Sequence, residues 1–139
     1  MKLSFLTSSM NRLHHIKQTY IKNIENSLPI QGCDVEFILL DYNSSDGLSG
    51  WVKSELTNLP VEFKYIHTNK PRYFDMSKTK NILGRVASGN ILCWMDADNF
   101  TYNGFVEYIK QIYQDSPSAI LRVEWEPDTS GMCGRIVCT

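Results

Sequence analysis

The stretch "GNILCWMDADNF", Gly89 to Phe100, decides the reading of the fold. Five apolar residues run from Ile91 to Met95 and give way to Asp96, Ala97 and Asp98. A short apolar run bounded by a glycine and by acidic residues suits a strand buried on both faces, as the central strands of a parallel sheet are. On this reading the run is the buried strand and the two carboxylates are its exposed mouth.

Strand-like and helix-like segments alternate on either side of it. "KLSFLT", Lys2 to Thr7, is predicted as a first strand, running into Ser8 and Ser9. Leu13, Ile16, Tyr20, Ile24 and Leu28 recur at helical spacing between Asn11 and Leu28, and Pro29 and Gly32 close that helix. "DVEFILLD", Asp34 to Asp41, is a second strand, whose run Phe37 to Leu40 again suits burial on both faces. The turn chemistry of "NSSDG" leads to a short helix over Leu48 to Leu59. "VEFKYIH", Val61 to His67, alternates as a strand nearer an edge does. A loop with Lys70, Pro71 and Arg72 precedes a helix over Ser77 to Ala87, with Ser77 as N-cap and Gly89 as stop. After the fourth strand, Asn90 to Met95, come a helix over Asn103 to Tyr113 and a fifth strand, "SAILRVEW", Ser118 to Trp125. The tail "GMCGRIVCT" offers the start of another.

Strand and helix alternate four times. That order predicts an α/β fold, a Rossmann-like and mostly parallel sheet with helices on both faces, in one domain over residues 1–139. Composition agrees: 42% hydrophobic and 21% charged residues can build a core, and a net charge of -1 with no basic block argues against nucleic acid as a partner. Cys33, Cys93, Cys133 and Cys138 form no C-x-x-C pair and read as reduced thiols, and the histidines are wrongly spaced for zinc. "MKLSFLTSS" is short for a signal peptide, and no apolar stretch approaches the ~20 residues of a membrane span. The expectation is a cytoplasmic chain, free or at the inner face of a membrane.

Ligands of such sheets sit outside the carboxyl ends of the strands. The first strand ends at Thr7, the second at Asp41 and the fourth at Asp96, so folding would gather these three on one edge. Carboxylates at i and i+2 of an extended chain point the same way, about 6.6 Å apart. They can flank one hard divalent cation, or a cation and the sugar hydroxyl beside it, and Mg²⁺ and Mn²⁺ favour such oxygens. A cation held there would stabilise a departing diphosphate. The same residues also suit a plain acidic turn. Asp41 can accept a base-edge N–H or cap the turn "DYNSSDG", and Asp46 suits a cap for the helix that follows. Arg12 and Lys80 can neutralise phosphate or stand as solvated helix charges. Tyr73, Phe74 and Trp125 can stack on a sugar or base, or pack. Spacing sets no carboxylate beside His14, His15 or His67, and none is read as catalytic. The glycine patterns of dinucleotide and P-loop sites are missing.

Three segments in order resemble the family 2 glycosyltransferases, inverting enzymes of the GT-A fold. "LSFLTSSMNR" is similar to the family's first strand and its Asn-Arg ending. "FILLDYNSSDG" is similar to V-D-D-G-S-T-D-G, with Asp41, Ser44 and Asp46 at matching positions. "SKTKNILGRVASGNILCWMDADNF" is similar to A-R-N-x-G followed by A-x-G-x-x-hydrophobic-x-D-A-D. The resemblance covers Lys2 to about Thr101. It implies a nucleotide-sugar donor, usually a UDP-sugar, a divalent Mn²⁺ or Mg²⁺, and a role such as polysaccharide biosynthesis. Thr7, Arg12 and Asp41 would line the nucleoside pocket, Asp96 would face the ribose or metal, and Asp98 would be the principal metal ligand.

Lys80 stands where the family often has Arg, keeping the charge without the bidentate fork. Tyr42 and Asn43 replace the common acidic residue and Gly. The family's acceptor half and its acidic catalytic base normally follow the metal motif at some distance, whereas this chain continues only to Thr139. Glu124, Glu126 and Asp128 come too soon to match that base, so the catalytic base is expected beyond Thr139. The acceptor, whether glycan, lipid or protein, is left open. An unpaired sheet edge near Ile136 and Val137 is expected to invite self-association into a homo-oligomer. Two other classes stay open: a non-catalytic nucleotide-sugar-binding module, and a nucleotidyltransferase, whose Gly-rich basic first loop "TSSMNR" lacks.

Overall fold

The computed structural model describes residues 1–122 and 136–139. Its elements, in chain order, are β1 (Lys2–Ser9), α1 (Leu13–Asn26), β2 (Asp34–Tyr42), α2 (Leu48–Glu55), β3 (Glu62–Thr68), α3 (Met76–Val86), β4 (Ile91–Trp94), α4 (Phe105–Asp115), β5 (Leu121–Arg122) and β6 (Ile136–Cys138). They form one six-stranded sheet in the order β3-β2-β1-β4-β6-β5. β1 pairs in parallel with β2 and β4, and β2 with β3, so the expected parallel α/β core is present. β3 is the edge strand that its alternation predicts.

The central strands are apolar because both of their faces are covered. Leu3, Phe5, Phe37 and Leu39 pack against Ile16, Tyr20 and Ile24 of α1, Leu48 and Val52 of α2, and Val106 and Ile109 of α4. Leu6, Ile38 and Leu40 face the other way, onto Leu83 of α3. Phe5 and Phe37, directly opposite in neighbouring strands, stack with ring centroids 4.5 Å apart. Such cross-strand aromatic pairs help to fix register.

Several boundaries and caps differ from expectation. The helix expected from Ser77 begins at Met76, and Asp75 rather than Ser77 is its N-cap, accepting the Lys78 backbone N–H at 3.0 Å. α2 ends at Glu55, four residues before Leu59. Of the fifth strand, Leu121–Arg122 is present, while Val123, Glu124, Trp125, Glu126, Asp128 and Cys133 lie outside the described residues. The tail does return as a strand, but antiparallel to β4. β6 also pairs with β5, so Ile136 and Val137 do not form the free edge that was expected. Among the described residues, Cys33 and Cys138 are free thiols.

Candidate functional site

At the carboxyl edge of the sheet two cavities share Phe74 as a wall. The smaller, about 290 Å³, is lined by Ser8, Arg12, His15, Asp96 and Asp98, among others. The larger, about 810 Å³, is lined by Tyr42, Lys70, Arg72, Tyr73 and Lys78. The folding chain therefore brings Arg12, Asp96 and Asp98 to one cleft.

Asp96 and Asp98 do not sit on an extended strand. β4 ends at Trp94, and the Asn99 N–H donates to the Asp96 carbonyl at 3.2 Å, closing a turn over Asp96–Asn99. The expected same-side display at strand spacing is thus replaced by a turn, with Asp96 half-buried, Ala97 buried and Asp98 exposed. Burial, and then the charge of Asp98, push the Asp96 carboxyl above its ordinary range, and the Lys80 ammonium partly offsets them. Lys80 is therefore close enough to act on the same carboxylate.

α1 holds this turn in place. The Thr19 hydroxyl donates to the Ala97 carbonyl at 2.7 Å. The Asn23 side-chain amide donates to the Asn99 carbonyl at 2.8 Å and accepts the Thr101 N–H at 2.7 Å. The Asn26 amide donates to the Thr101 carbonyl at 2.7 Å. Thr19, Asn23 and Asn26 recur at i, i+4 and i+7, one helical face. Reading the helix only for its apolar stripe misses them. The available signal was an Asn at a position facing the core, where a polar group must find partners.

The loops after β1 and β2 are tied to each other. Asn11 accepts the Ser45 N–H at 2.8 Å, and its own N–H donates to Ser44 Oγ at 3.0 Å. Asp46 was expected to cap α2. Its stronger contact is with α1, where Oδ2 accepts the Leu13 N–H at 2.7 Å, against 3.3 Å for the Leu48 N–H of α2. Asn43, which stands in place of the family's Gly, takes the left-handed φ of 60° that Asn tolerates. Its amide donates to the Pro71 carbonyl at 2.8 Å, joining the turn to the wall of the larger cavity.

Asp41 and Thr7 lie beneath the surface. Asp41 is 1% exposed, and accepts the Ser44 N–H at 2.8 Å and the Tyr65 hydroxyl at 2.6 Å. His67 Nδ1 stands 3.2 Å from the same carboxylate, so this histidine does have a carboxylate beside it, supplied by a neighbouring strand. Burial alone would raise the Asp41 carboxyl, but the bonds from Tyr65, Ser44 and His67 outweigh it and hold it below the usual range. The same burial and the Asp41 contact push the Tyr65 phenol up. Thr7 is buried, and it is Ser8, the next residue, that lines the smaller cavity.

The profile of "Glycosyl transferase family 2" matches residues 4–129. The chain belongs to that family. No curated protein sequence matches it. Among solved structures, mannosyltransferase PcManGT from Pyrobaculum calidifontis, in complex with GDP-Man and Mn²⁺, superposes with a TM-score of 0.77 at 14% identity over 98% of this chain and 44% of that one. S. aureus TarS residues 1–349, in complex with UDP, gives 0.71 at 15% identity over 95% of this chain and 38% of that one. The same TarS fragment with UDP-GlcNAc gives 0.68 at 16% identity over 95% and 37%. At these identities the likeness establishes the GT-A fold. This family 2 chain spans less than half the length of each of these structures.

Among the described residues of this family 2 member, no three His, Cys, Asp or Glu side chains come together to hold a metal ion. No helix among them is long and apolar enough to cross a membrane.

Proposed function

We propose that this chain is the donor-binding part of an inverting glycosyltransferase that takes a UDP-sugar with Mn²⁺ or Mg²⁺. The observation that carries the reading is the smaller cavity, which Asp96, Asp98 and Arg12 line together at the carboxyl edge of the sheet. The donor complexes of TarS with UDP and UDP-GlcNAc, and of PcManGT with GDP-Man and Mn²⁺, support the ligand class.

The donor set fits a hard cation. Two carboxylates share a site in which burial and mutual repulsion disfavour the second charge, a cost that a divalent ion relieves. Asp98 would be the principal ligand and Asp96 the second, with substrate phosphate and water completing the shell. When bound, the cation would offset charge on the departing diphosphate. Arg12 and Lys80 would neutralise the remaining phosphate charge, and Phe74 and Tyr73 would lie beside the nucleoside as it extends toward the larger cavity. In this reading Thr7 and Asp41 shape the nucleoside pocket from below, Asp41 through the turn it caps and through Tyr65 and His67. The acceptor hydroxyl would attack the anomeric carbon from the face opposite the leaving UDP, and the base is assigned to no described residue.

Calorimetry of the chain with UDP, with and without Mn²⁺, tests the reading. Binding should require the metal, and Asp98→Asn should abolish that requirement together with most of the affinity. The fold should survive, since Asp98 is exposed and surface changes are usually within about 0.5 kcal/mol. UDP binding that ignores both the metal and this substitution overturns the assignment. Metal-dependent binding by the intact protein without sugar transfer to any acceptor would make it a binding module.

A further inference from the structure

We infer that His15 is a donor-binding residue, giving its Nδ1–H to a phosphate oxygen in the cleft that it lines with Asp96 and Asp98. The inference rests on the nucleotide-sugar reading above and adds a group that the motif pattern does not contain. His15 lies in the first turn of α1 and lines the 290 Å³ cavity with Arg12. Its ring is held from two sides. The Arg12 Nη1 stands 3.4 Å from His15 Nε2, and the His14 ring packs against it with centroids 3.9 Å apart.

The Arg12 contact fixes the tautomer. A guanidinium carries donors and no acceptor, so Nε2 must supply the lone pair and the ring proton resides on Nδ1. His15 then offers the cleft a hydrogen-bond donor next to a fixed positive charge, a combination suited to a phosphate oxygen. A third metal ligand is the other use of a histidine in such a cleft. Among the described residues no three such side chains are grouped to hold a metal ion, which favours the donor role for His15. Asp46 anchors the start of α1 by accepting the Leu13 N–H at 2.7 Å.

Two conservative variants separate contact with the ligand from mere support of Arg12. Asn places its amide nitrogen where His has Nδ1, so His15→Asn keeps the donor and loses the Arg12 acceptor. His15→Gln reaches the Nε2 position, keeping the Arg12 contact and losing the Nδ1 donor. Calorimetry with Mn²⁺ and UDP, GDP or inorganic pyrophosphate is the measurement, with thermal melts to verify folding. His15→Ala should weaken UDP and pyrophosphate about tenfold, as expected for one hydrogen bond to a charged group. Asn should restore most of that loss and Gln little of it. An unchanged affinity in His15→Ala, or rescue by Gln and not by Asn, overturns the inference while leaving the donor reading intact. Pyrophosphate bound with His15 dependence, but with no gain from a nucleoside, would remove the nucleotide-sugar reading and keep the assignment of His15. A wild-type chain that binds none of the three probes removes both.

Discussion

Asn23 on α1 accepts the Thr101 backbone N–H at 2.7 Å, across 78 residues of sequence. The same carboxamide donates to the Asn99 carbonyl, so one buried side chain spans the end of the loop that carries Asp96 and Asp98. Asn23→Ala should therefore cost more than a surface change, about 2–3 kcal/mol, because it leaves a buried N–H and a buried carbonyl without that partner. It should also weaken metal-dependent UDP binding in the fraction that remains folded, since the turn loses its clamp. Urea denaturation and calorimetry on the same preparation measure the two effects. A stable variant with wild-type binding would show that Thr19 and Asn26 suffice.

Asp41→Ala should act through structure. Its carboxylate is sealed from solvent and holds Ser44, Tyr65 and His67. Truncation takes the acceptor from the Tyr65 hydroxyl and frees the turn, a loss of about 2–4 kcal/mol. UDP and a pyrophosphate–Mn²⁺ complex should then lose affinity by similar factors. A much larger loss for UDP would instead assign Asp41 a direct contact to the base.

Glu36 makes stability depend on acid. It is wholly buried in β2, accepting the Ser4 hydroxyl at 2.5 Å, the Lys64 ammonium at 2.7 Å and the Ser88 N–H at 2.6 Å. Burial pushes its carboxyl up, but the bonds from Lys64, Ser4 and Ser88 prevail and draw it down to about 2, against an ordinary 4.5. A carboxyl depressed on folding stabilises above its unfolded value and loses that contribution as pH falls through the folded one. Stability should thus decline between pH 4.5 and about 2. Denaturation midpoints across this window should fall less steeply in Glu36→Gln, which should already be weakened at neutral pH. Parallel curves for the two proteins would exclude Glu36 as a source of the slope.

Gly89→Ala tests the packing of the same corner. A Cβ there would stand 2.7 Å from the Lys2 carbonyl oxygen and nearer still to Ser4 Oγ. Backbone cannot swing aside as a flexible side chain can, so β1 and the α3–β4 connection must separate, at about 1–3 kcal/mol. The melting temperature should drop by several degrees, with the largest rise in hydrogen exchange along β1 and β4. An unchanged melt would mean that the connection yields at no cost.

The alternation of strands and helices was legible from local sequence, because burial on two faces demands unbroken apolar runs such as Phe37–Leu40 and Ile91–Met95, and these runs need no knowledge of their partners. The gathering of strand ends on one edge follows from that order: Thr7, Asp41 and Asp96 were expected there, and of these Asp96 lines the cleft, with Arg12 and Asp98, while Thr7 and Asp41 lie beneath its surface. Tertiary structure alone decided the details that act at a distance. The turn at Asp96–Asn99 is closed by a local bond but held by Thr19 and Asn23 of α1, and nothing in "DADN" announces those partners. Asp46 turned from α2 to α1 because the loops after β1 and β2 interlock. Asp41 went under the surface because β3 set Tyr65 and His67 against it. The tail became an inner antiparallel strand because β4 still had an edge to pair. Periodicity records which face of an element is buried; hydrogen-bond partners tens of residues away are chosen only when the elements meet, since an orphaned buried polar group costs more than almost any local preference.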